Sequence, residues 1–443
     1  MKKTLLFFIA NCFILPGILS QPLWMYNELT TGVTTNLTSA SSNSQNYNNA
    51  QVWVCGNSGV ILKSTNTGLN WVNQTGNGIP VNVNLSCICF VGLDTAVTAG
   101  NNGSTTYVYR TVNGGTNWSQ VFTQPNGSIN AIAFKNSALG YMTGNPVGGR
   151  WSLWKTTNKG QTWDSAGMYI PQAGSETGFP NSIAARHNYV LFGTNNSRIY
   201  RSTNNGVNWS TVVTQDQNST SLWVYSDTTQ YSFSYAGGSR IFRSTNSGVL
   251  WQQNSCPDSM YNIVGFAPGV YGVFDNQPMC VYACRSNNKI YFAFYSTGNF
   301  SAEYTAPAGN YNHMSCDYNQ IYMQLGYSFA VRNNGGITRV YYFRGGGIKQ
   351  LSSLLPDKFE LSQNYPNPFN PVTNIRFAVK KYGLVRLLIY DVSGKEVTEA
   401  VDDILKPGTY EVNWNASSLS SGIYFYRLQT EGFTATRKMI FVK

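Results

Sequence analysis

With 443 residues the chain is expected to form two or three domains. Hydrophobic residues make up 42% and aromatic residues 14%, enough for packed cores, whereas only 11% are charged. Asn, Ser, Thr and Gly fill the polar positions, which favours an all-β protein with many turns. The net charge of +11 includes no long Lys or Arg run, so a modest surface surplus is favoured over a site for an acidic polysaccharide or lipopolysaccharide, and no nucleic-acid partner is expected.

The first 20 residues have the pattern of a secretory signal peptide. Two lysines are followed by an apolar run and then by small residues before Gln21. The run is too short to favour a permanent membrane span, and no later segment is long and apolar enough for one. The mature chain is therefore predicted to be exported and not transmembrane.

An eight-residue phrase occurs five times, at 64–71, 111–118, 156–163, 202–209 and 244–251. Its final tryptophans recur with a period of about 45 residues, which is typical of a four-stranded propeller blade. The phrase is expected at the hairpin between the third and fourth strands. There Ser or Thr and the central Asn can bond the turn, Gly tolerates positive φ, and Trp anchors the outer strand.

These phrases resemble the Asp-box repeats of sialidase-like β-propellers, with Asn where that family often has Asp. The resemblance implies a structural role at the rim, away from the ligand face. The matching residues are Asn66, Gly68, Trp71, Asn113, Gly115, Trp118, Asn158, Gly160, Trp163, Asn204, Gly206, Trp209, Asn246, Gly248 and Trp251.

Two further segments, 260–300 and 311–345, have strand-like content at the same period but lack the phrase. Residues 21–350 then divide into seven blades of about 47 residues each. Residues 22–30 are expected to close the ring by pairing into the last blade. The predicted fold is all-β: a seven-bladed β-propeller followed by a small Ig-like β-sandwich.

A basic residue precedes every phrase. A ring of five cations could bind a polyanion, but rim positions would spread these side chains widely, so solvated structural charge is favoured. They are Lys63, Arg110, Lys155, Arg201 and Arg243.

After a linker at 351–356, residues 357–443 form short strand-like runs separated by turn residues, which indicates a small antiparallel sandwich. The module resembles the type A C-terminal sorting domain of the type IX secretion system, in "NYPNPFNP" (364–371) and the segments up to "TRKMIFVK" (436–443). An ordinary Ig-like binding domain is the alternative. The residues carrying the resemblance are Pro366, Pro368, Phe369, Asn370, Gly422, Tyr424, Arg427, Lys438 and Lys443.

The parts of a catalytic site are not recognisable. The "FRIP" opening of sialidases is absent, the ten acidic residues of 21–350 form no evident pair, and His187 and His313 stand apart in sequence. No metal or cofactor is expected. Four acidic residues lie in D-[ST]-apolar phrases that resemble a bacterial O-glycosylation signal, which makes candidates of Thr95, Ser165, Thr228 and Ser259.

The longest irregular pieces, 144–151 and 167–181, are expected together on the face opposite the repeats. They supply Arg150, Trp151, Tyr169 and Glu176, residue types suited to stacking on a sugar and hydrogen-bonding it. The alternative is that the second loop packs over the first and stiffens the rim.

The sequence thus favours a secreted or cell-surface binding protein for glycan or protein, delivered through the periplasm by the type IX translocon. Polysaccharide, lipopolysaccharide and surface proteins are the candidate ligands. A glycoside hydrolase with unrecognised carboxylates is the alternative. A third role, assembly factor, is known for similar propellers of photosynthetic complexes but conflicts with export.

Overall fold

The structure is a computed structural model that describes residues 23–443 apart from 45–49, 215–220, 227–231, 270–279, 295–297, 317–326, 344–347 and 417–418. The predicted signal peptide and Thr228 lie outside the described residues. The chain divides into two compact units, 24–342 and 343–443. The first is the predicted seven-bladed β-propeller and the second is a β-sandwich.

The propeller strands are numbered in chain order, beginning with β1 (Leu23–Leu29), which belongs to the last blade. Blade 1 contains β2 (Leu37–Ser44), β3 (Ala50–Gly56), β4 (Ile61–Ser64) and β5 (Val72–Asn73). Blade 2 contains β6 (Asn84–Gly92), β7 (Thr95–Asn102), β8 (Thr105–Thr111) and β9 (Ser119–Pro125). Blade 3 contains β10 (Ile129–Phe134), β11 (Gly140–Val147) and β12 (Arg150–Thr156). Blade 4 contains β13 (Gly178–Arg186), β14 (Tyr189–Thr194), β15 (Arg198–Ser202) and β16 (Ser210–Val213).

The remaining blades follow the same order. Blade 5 contains β17 (Ser221–Ser226), β18 (Ser232–Gly237), β19 (Ile241–Ser244) and β20 (Gln252–Asn254). Blade 6 contains β21 (Ile263–Gly269), β22 (Cys280–Arg285), β23 (Lys289–Phe294) and β24 (Ser301–Thr305). Blade 7 contains β25 (Tyr311–Cys316), β26 (Tyr327–Arg332) and β27 (Ile337–Phe343), with β1 as its outer strand.

The ring closes as predicted, through β1. Innermost strands contact one another in the order β2, β6, β10, β13, β17, β21, β25 and back to β2. On the closing strand, Glu28 pairs with Arg332 and accepts hydrogen bonds from the hydroxyls of Thr338 (2.6 Å) and Tyr304 (2.8 Å). The Tyr26 ring stacks on Tyr304 with centroids 4.7 Å apart. The closing strand is therefore fixed to blades 6 and 7 by side chains as well as by backbone pairing.

Inner and middle strands of the blades are buried on both faces, because each blade stacks between two neighbours. Strand β3, with the sequence AQVWVCG, is buried at every position but one, whereas the outer strands β5 and β9 are largely exposed. Both faces of a middle strand therefore need apolar side chains, and the strand shows no clean alternation.

The five repeated phrases form one kind of turn, called here a box turn, between the third and fourth positions of blades 1 to 5. In the first, the Ser64 hydroxyl donates to Asn66 Oδ1 (3.0 Å) and accepts from the Gly68 N–H (2.9 Å), while Asn66 Oδ1 accepts from the Asn70 N–H (2.9 Å). The other four repeat these bonds. A Cβ on Gly68 would lie 2.5 Å from Leu29, so glycine also permits contact with the preceding blade.

Each box turn also accepts a hydrogen bond from a side chain of the preceding blade. The acceptor in every case belongs to the residue before the box glycine, which has positive φ in all five turns. The bonds run from Arg339 to the Thr67 carbonyl (3.0 Å), Lys63 to Gly114 (3.3 Å), Arg110 to Lys159 (2.8 Å), Tyr141 to Asn205 (2.9 Å) and Arg201 to Ser247 (2.6 Å).

The expectation of solvated charge before the repeats therefore needs correction for Lys63, Arg110 and Arg201. These side chains bond the next box turn because adjacent blades are close enough for a cation on one to reach a carbonyl of the other. Desolvation by burial lowers the pKa of all three groups. We call this set of contacts the inter-blade clasps.

The second unit is a sandwich of two four-stranded antiparallel sheets. One sheet contains β28 (Ile348–Ser352), β33 (Gly408–Asn415), β30 (Val372–Val379) and β29 (Glu360–Leu361) in spatial order. The other contains β32 (Glu396–Leu405), β31 (Gly383–Tyr390), β34 (Gly422–Thr430) and β35 (Phe433–Phe441). Alternating burial along β30 shows that one face of its sheet is packed and the other solvated.

The domain boundary differs from the prediction. The propeller was expected to end at 350, with a linker at 351–356. Instead β28 pairs with β33, with Lys349 opposite Glu411, so residues 348–352 belong to the sandwich. The described part of the chain contains no helix long and apolar enough to cross a membrane.

Candidate functional site

The four residues predicted to bind a ligand do not form one site. Arg150 begins β12, and its guanidinium lies 5.7 Å from the ring centroid of Tyr169, which is 66% exposed. Trp151 and Glu176 are instead 0% exposed. The structure thus brings Arg150 and Tyr169 together at the surface and places the other two in the interior.

Trp151 belongs to the core between blades 3 and 4. Its ring lies 5.0 Å from Phe192 and 5.5 Å from Tyr200, both on blade 4. The expectation that Trp151 stacks on a ligand is therefore wrong. Successive side chains of β12 point to opposite sides, and the side carrying Trp151 faces the next blade.

Glu176 is a buried, paired carboxylate. The Tyr200 hydroxyl donates to its Oε2 (2.9 Å), and Arg198 Nη1 lies 3.1 Å from its Oε1. Desolvation raises the pKa of the Tyr200 phenol. The expectation that Glu176 meets a ligand is also wrong, because its oxygens are occupied in holding residues 172–177 against blade 4.

The two loops containing these residues pack on each other. The Trp151 N–H donates to the Ile170 carbonyl (3.0 Å), and the Gln172 N–H donates to the Gly149 carbonyl (2.9 Å). Residues 164–171 thereby run beside β12 where other blades have a fourth strand, with bridges at Lys155–Asp164 and Arg150–Pro171. This arrangement matches the alternative expectation, a stiffened rim.

A cavity of about 540 Å³ opens at the centre of the propeller, on the face opposite the box turns. Its described lining comes from blades 1, 2, 4, 6 and 7 and includes six asparagines: Asn36, Asn57, Asn84, Asn101, Asn262 and Asn312. None of these described lining residues is Asp, Glu, Lys, Arg or His. Apolar contact surface comes from Phe179, Pro180 and Val264.

Below the lining, side chains from three blades meet. The Ser39 hydroxyl donates to Asn181 Oδ1 (2.8 Å), which joins blade 1 to blade 4. The Ala40 N–H donates to Nδ1 of His313 on blade 7 (3.2 Å), so Nδ1 is the acceptor and Nε2 carries the proton. Burial lowers the pKa of His313 to about 4, so the imidazole is neutral at pH 7. These contacts form a hydrogen-bonded floor that crosses the channel below the cavity lining.

Several of the asparagines serve to build the cavity wall. Asn312 Nδ2 donates to Asn36 Oδ1 (2.7 Å), Asn84 Oδ1 accepts from the Ser58 N–H (3.1 Å), and Asn101 Nδ2 donates to the Ser128 hydroxyl (2.9 Å).

Two other asparagines line the cavity and have side-chain amides that are free to hydrogen-bond a ligand. Within the described residues, the side-chain amides of Asn57 on blade 1 and Asn262 on blade 6 make no hydrogen bond. A carboxamide offers two donors and an acceptor, so these groups are able to bind a polar ligand.

These asparagines were not predicted from the sequence, although a signal was present. Asn36–Leu37, Asn84–Leu85 and Asn262–Ile263 are the same Asn-aliphatic pair, placed where an innermost strand begins. The aliphatic residue packs into the core, with exposures of 0 to 1%, while the asparagine turns to the cavity. A search for polar residues in equivalent positions of successive periods would have found them.

Among the described residues, several carboxylates that could act as catalysts or metal ligands hold the structure together instead. Glu28 and Glu176 hold strands in place, and Asp258 accepts from Tyr291 (2.7 Å) and Lys289 (2.9 Å). No group of three or more His, Cys, Asp or Glu that could hold a metal occurs in that part of the chain. Burial raises the pKa of Cys55 to about 12 and of Cys89 to about 11, so both remain protonated at neutral pH and are poor nucleophiles and metal ligands.

Three of the four candidate glycosylation positions are described. Ser259 is exposed, whereas Thr95 and Ser165 are half-buried. Ser259 therefore has the most accessible hydroxyl of these three.

The predicted sorting residues divide between a packed and an exposed set. Phe369 is buried, stacking on Phe441 at 5.2 Å, and the Tyr424 hydroxyl donates to the Ser420 carbonyl (2.8 Å). Arg427 lies over the Tyr390 ring at 5.0 Å, and Gly422 begins β34. The exposed residues are Pro366, Pro368, Asn370, Lys438 and Lys443.

The segment 363–369 covers part of the edge of the final strand, β35. Gln363 donates to the Lys438 carbonyl (2.8 Å), the Ile440 N–H donates to Asn367 Oδ1 (2.9 Å), and the Phe369 N–H donates to the Ile440 carbonyl (3.0 Å). The proline-rich motif thus bonds backbone groups that an edge strand would otherwise leave unpaired.

Comparison with known proteins supports both units. Residues 363–443 match the family described as Secretion system C-terminal sorting domain. This domain indicates export by the type IX secretion system to the cell surface or beyond it. A search of curated proteins finds no match.

Among solved structures, YCF48 from Cyanidioschyzon merolae is similar to the chain at 15% identity with a TM-score of 0.53, covering 71% of this chain and 98% of that one. A structure of YCF48 bound to D1 peptide is similar at 14% identity with a TM-score of 0.51, covering 71% and 96%. At these identities the likeness shows the β-propeller fold alone.

Proposed function

We propose that this chain is an exported, non-catalytic binding protein whose propeller holds a glycan or protein ligand in the central cavity. The observation that carries the proposal is the cavity itself, about 540 Å³ in volume, with carboxamides at Asn57 and Asn262 that make no hydrogen bond to the described residues. Its volume lies in the range of small-molecule sites, and a few polar groups amid apolar surface are typical of them.

The alternative, a glycoside hydrolase, receives less support. Such enzymes need two carboxyl groups facing the scissile bond, and a sialidase also needs arginines for the substrate carboxylate. The described residues that line the cavity supply neither. The resemblance of the box turns to Asp-box repeats supports a shared architecture and gives no support for an enzymatic activity.

Delivery is the second part of the proposal. The signal-peptide pattern at 1–20 takes the chain to the periplasm, and residues 357–443 then engage the type IX translocon. A chain truncated after residue 343, which removes the whole sandwich including β28, is expected to accumulate in the periplasm of its native host, as measured by cell fractionation. Secretion of the truncated chain at the normal level would contradict this route.

The binding role is tested with the full chain on immobilised polysaccharides, a glycan array and a peptide array, scoring retention and product release separately. Retention without release is expected, and the double substitution Asn57→Ala with Asn262→Ala should abolish it. Asn208→Ala, on an exposed residue of a box turn at the opposite face, is the matched control. Retention unaffected by the double substitution would refute the cavity as the site, and product release would establish a hydrolase.

A further inference from the structure

We propose that the cavity recognises the uncharged end of a polysaccharide chain, an inference that rests on the proposed binding function. Three features of the cavity lead to it: the hydrogen-bonded floor, the absence of charged side chains among the described lining residues and the placement of the carboxamides that make no hydrogen bond to those residues. The first two each exclude a class of ligand, and the third fits a sugar.

The floor excludes a chain that threads through the ring. One residue below the lining residues Thr38, Pro180 and Asn312 are Ser39, Asn181 and His313. A hydrogen bond of 2.8 Å between Ser39 and Asn181 joins blade 1 to blade 4 across the axis, and one of 3.2 Å between the Ala40 N–H and His313 joins blade 1 to its neighbour, blade 7. A polymer can therefore enter only by its end or as a short branch.

The lining excludes a charged end. A peptide terminus, a sialic acid or a uronic acid would lose the hydration of its charge, and the described lining residues include no ion of opposite sign. Burial of an unpaired charge costs far more than burial of a hydroxyl that finds a hydrogen bond. The end of a neutral sugar chain carries hydroxyl groups alone, and carboxamides can both donate to them and accept from them.

The polar groups and the apolar surface are distributed as a sugar requires. Asn57 and Asn262 belong to blades 1 and 6, and Ser286 lies beside Asn262, with its N–H donating to the Asn262 carbonyl (2.7 Å). Phe179 on blade 4 is half-buried and lines the cavity. A pyranose has hydroxyls around its edge and a C–H face, and it can bond the carboxamides while its face contacts an aromatic ring.

The test uses the full chain and calorimetric titration with pairs of oligosaccharides that differ only at the non-reducing end. Neutral cello-, xylo- and manno-oligosaccharides are compared with the same chains ending in a uronic acid or sialic acid. At least one neutral series should bind, and its acid-terminated partner at least tenfold more weakly. Asn262→Asp, and separately Asn57→Asp, should weaken the neutral ligand at least tenfold, while the control Asn208→Asp leaves its affinity unchanged.

The outcomes separate this inference from the proposed function. Equal affinity for the acid-terminated sugars, or cavity substitutions that leave neutral-sugar affinity unchanged in variants with native circular dichroism, would overturn the inference. Binding of a peptide and of no sugar, abolished by the Asn57 and Asn262 substitutions, would overturn the inference and leave the proposed function standing. Retention of no sugar and no peptide would overturn both.

Discussion

Replacement of Trp151 by alanine is expected to destabilise the propeller. The side chain is 0% exposed and packs between blades 3 and 4, with ring centroids 5.0 Å from Phe192 and 5.5 Å from Tyr200. Removing a buried Trp costs about 3 to 5 kcal/mol, and the two aromatic contacts place this site toward the upper end. That is a large fraction of the free energy of unfolding of a typical domain, about 5 to 15 kcal/mol.

The assay is urea unfolding of the full chain, followed by tryptophan fluorescence and circular dichroism. With a denaturant slope of about 3 kcal/mol per molar, a loss of about 4 kcal/mol lowers the midpoint of the propeller transition by about 1.3 M. Trp151→Phe should give a smaller shift, and Tyr169→Ala, at a 66% exposed site, should stay within about 0.5 kcal/mol. If Trp151→Ala unfolded at the wild-type midpoint but lost ligand binding, the core assignment would be refuted and a ligand-stacking role restored.

Further predictions concern the clasps, the closing strand, the cavity floor and the candidate glycan. Arg201→Ala removes a charge-assisted hydrogen bond to the Ser247 carbonyl and should lower the free energy of unfolding in urea by about 1.5 to 3 kcal/mol. An equal loss in Arg201→Lys would show that the geometry of the guanidinium matters more than its charge. Glu28→Ala leaves Arg332 without its carboxylate and should cost about 2 kcal/mol and speed proteolysis near the ends of the propeller; unchanged proteolysis would contradict the role given to Glu28 in holding the closing strand. His313 has an ordinary pKa of 6.5 and a folded value of about 4, so the unfolded chain takes up its proton first and stability should fall between pH 6.5 and 4; His313→Gln should flatten that slope, and an unchanged slope would contradict it. Intact mass of the native protein should show added sugar that Ser259→Ala reduces, and a mass equal to that of the bare polypeptide would exclude it.

The repeat architecture could be predicted from sequence because its determinants are local. A box turn needs Ser or Thr, Asn and Gly at fixed spacing, and the bonds from Ser64 and Asn66 are made within six residues. The period of the phrase then fixed the number of blades, and the apolar runs between phrases supplied their strands. The sorting domain was recognisable for a similar reason, since its motifs occur in order over a short segment.

The candidate site was harder to predict than the repeat architecture, because it depends on which side of each strand faces the neighbouring blade. Blades bury both faces, so the sequence around Trp151 does not show whether that side chain meets solvent or the next blade. The cavity is still harder to predict from sequence. Asn57 and Asn262 are separated by most of the propeller in sequence, and they line one cavity only once the ring has closed. The clasps were misjudged in the same way, since Arg201 and Ser247 belong to different blades.

Because of the closing strand, the propeller is complete only in a chain that retains both ends of the domain. Strand β1 comes from the first part of the propeller chain and β27 from the last, so the seventh blade is completed only when both are present in one molecule. A chain clipped near its start would leave blade 7 without its outer strand and Arg332 without Glu28, whereas a chain cut short before β27 would leave β1 without the strand that it pairs with. Such a molecule would expose an unpaired sheet edge, which invites aggregation and proteolysis. Full-length chains would thus be favoured over fragments among the molecules that persist outside the cell.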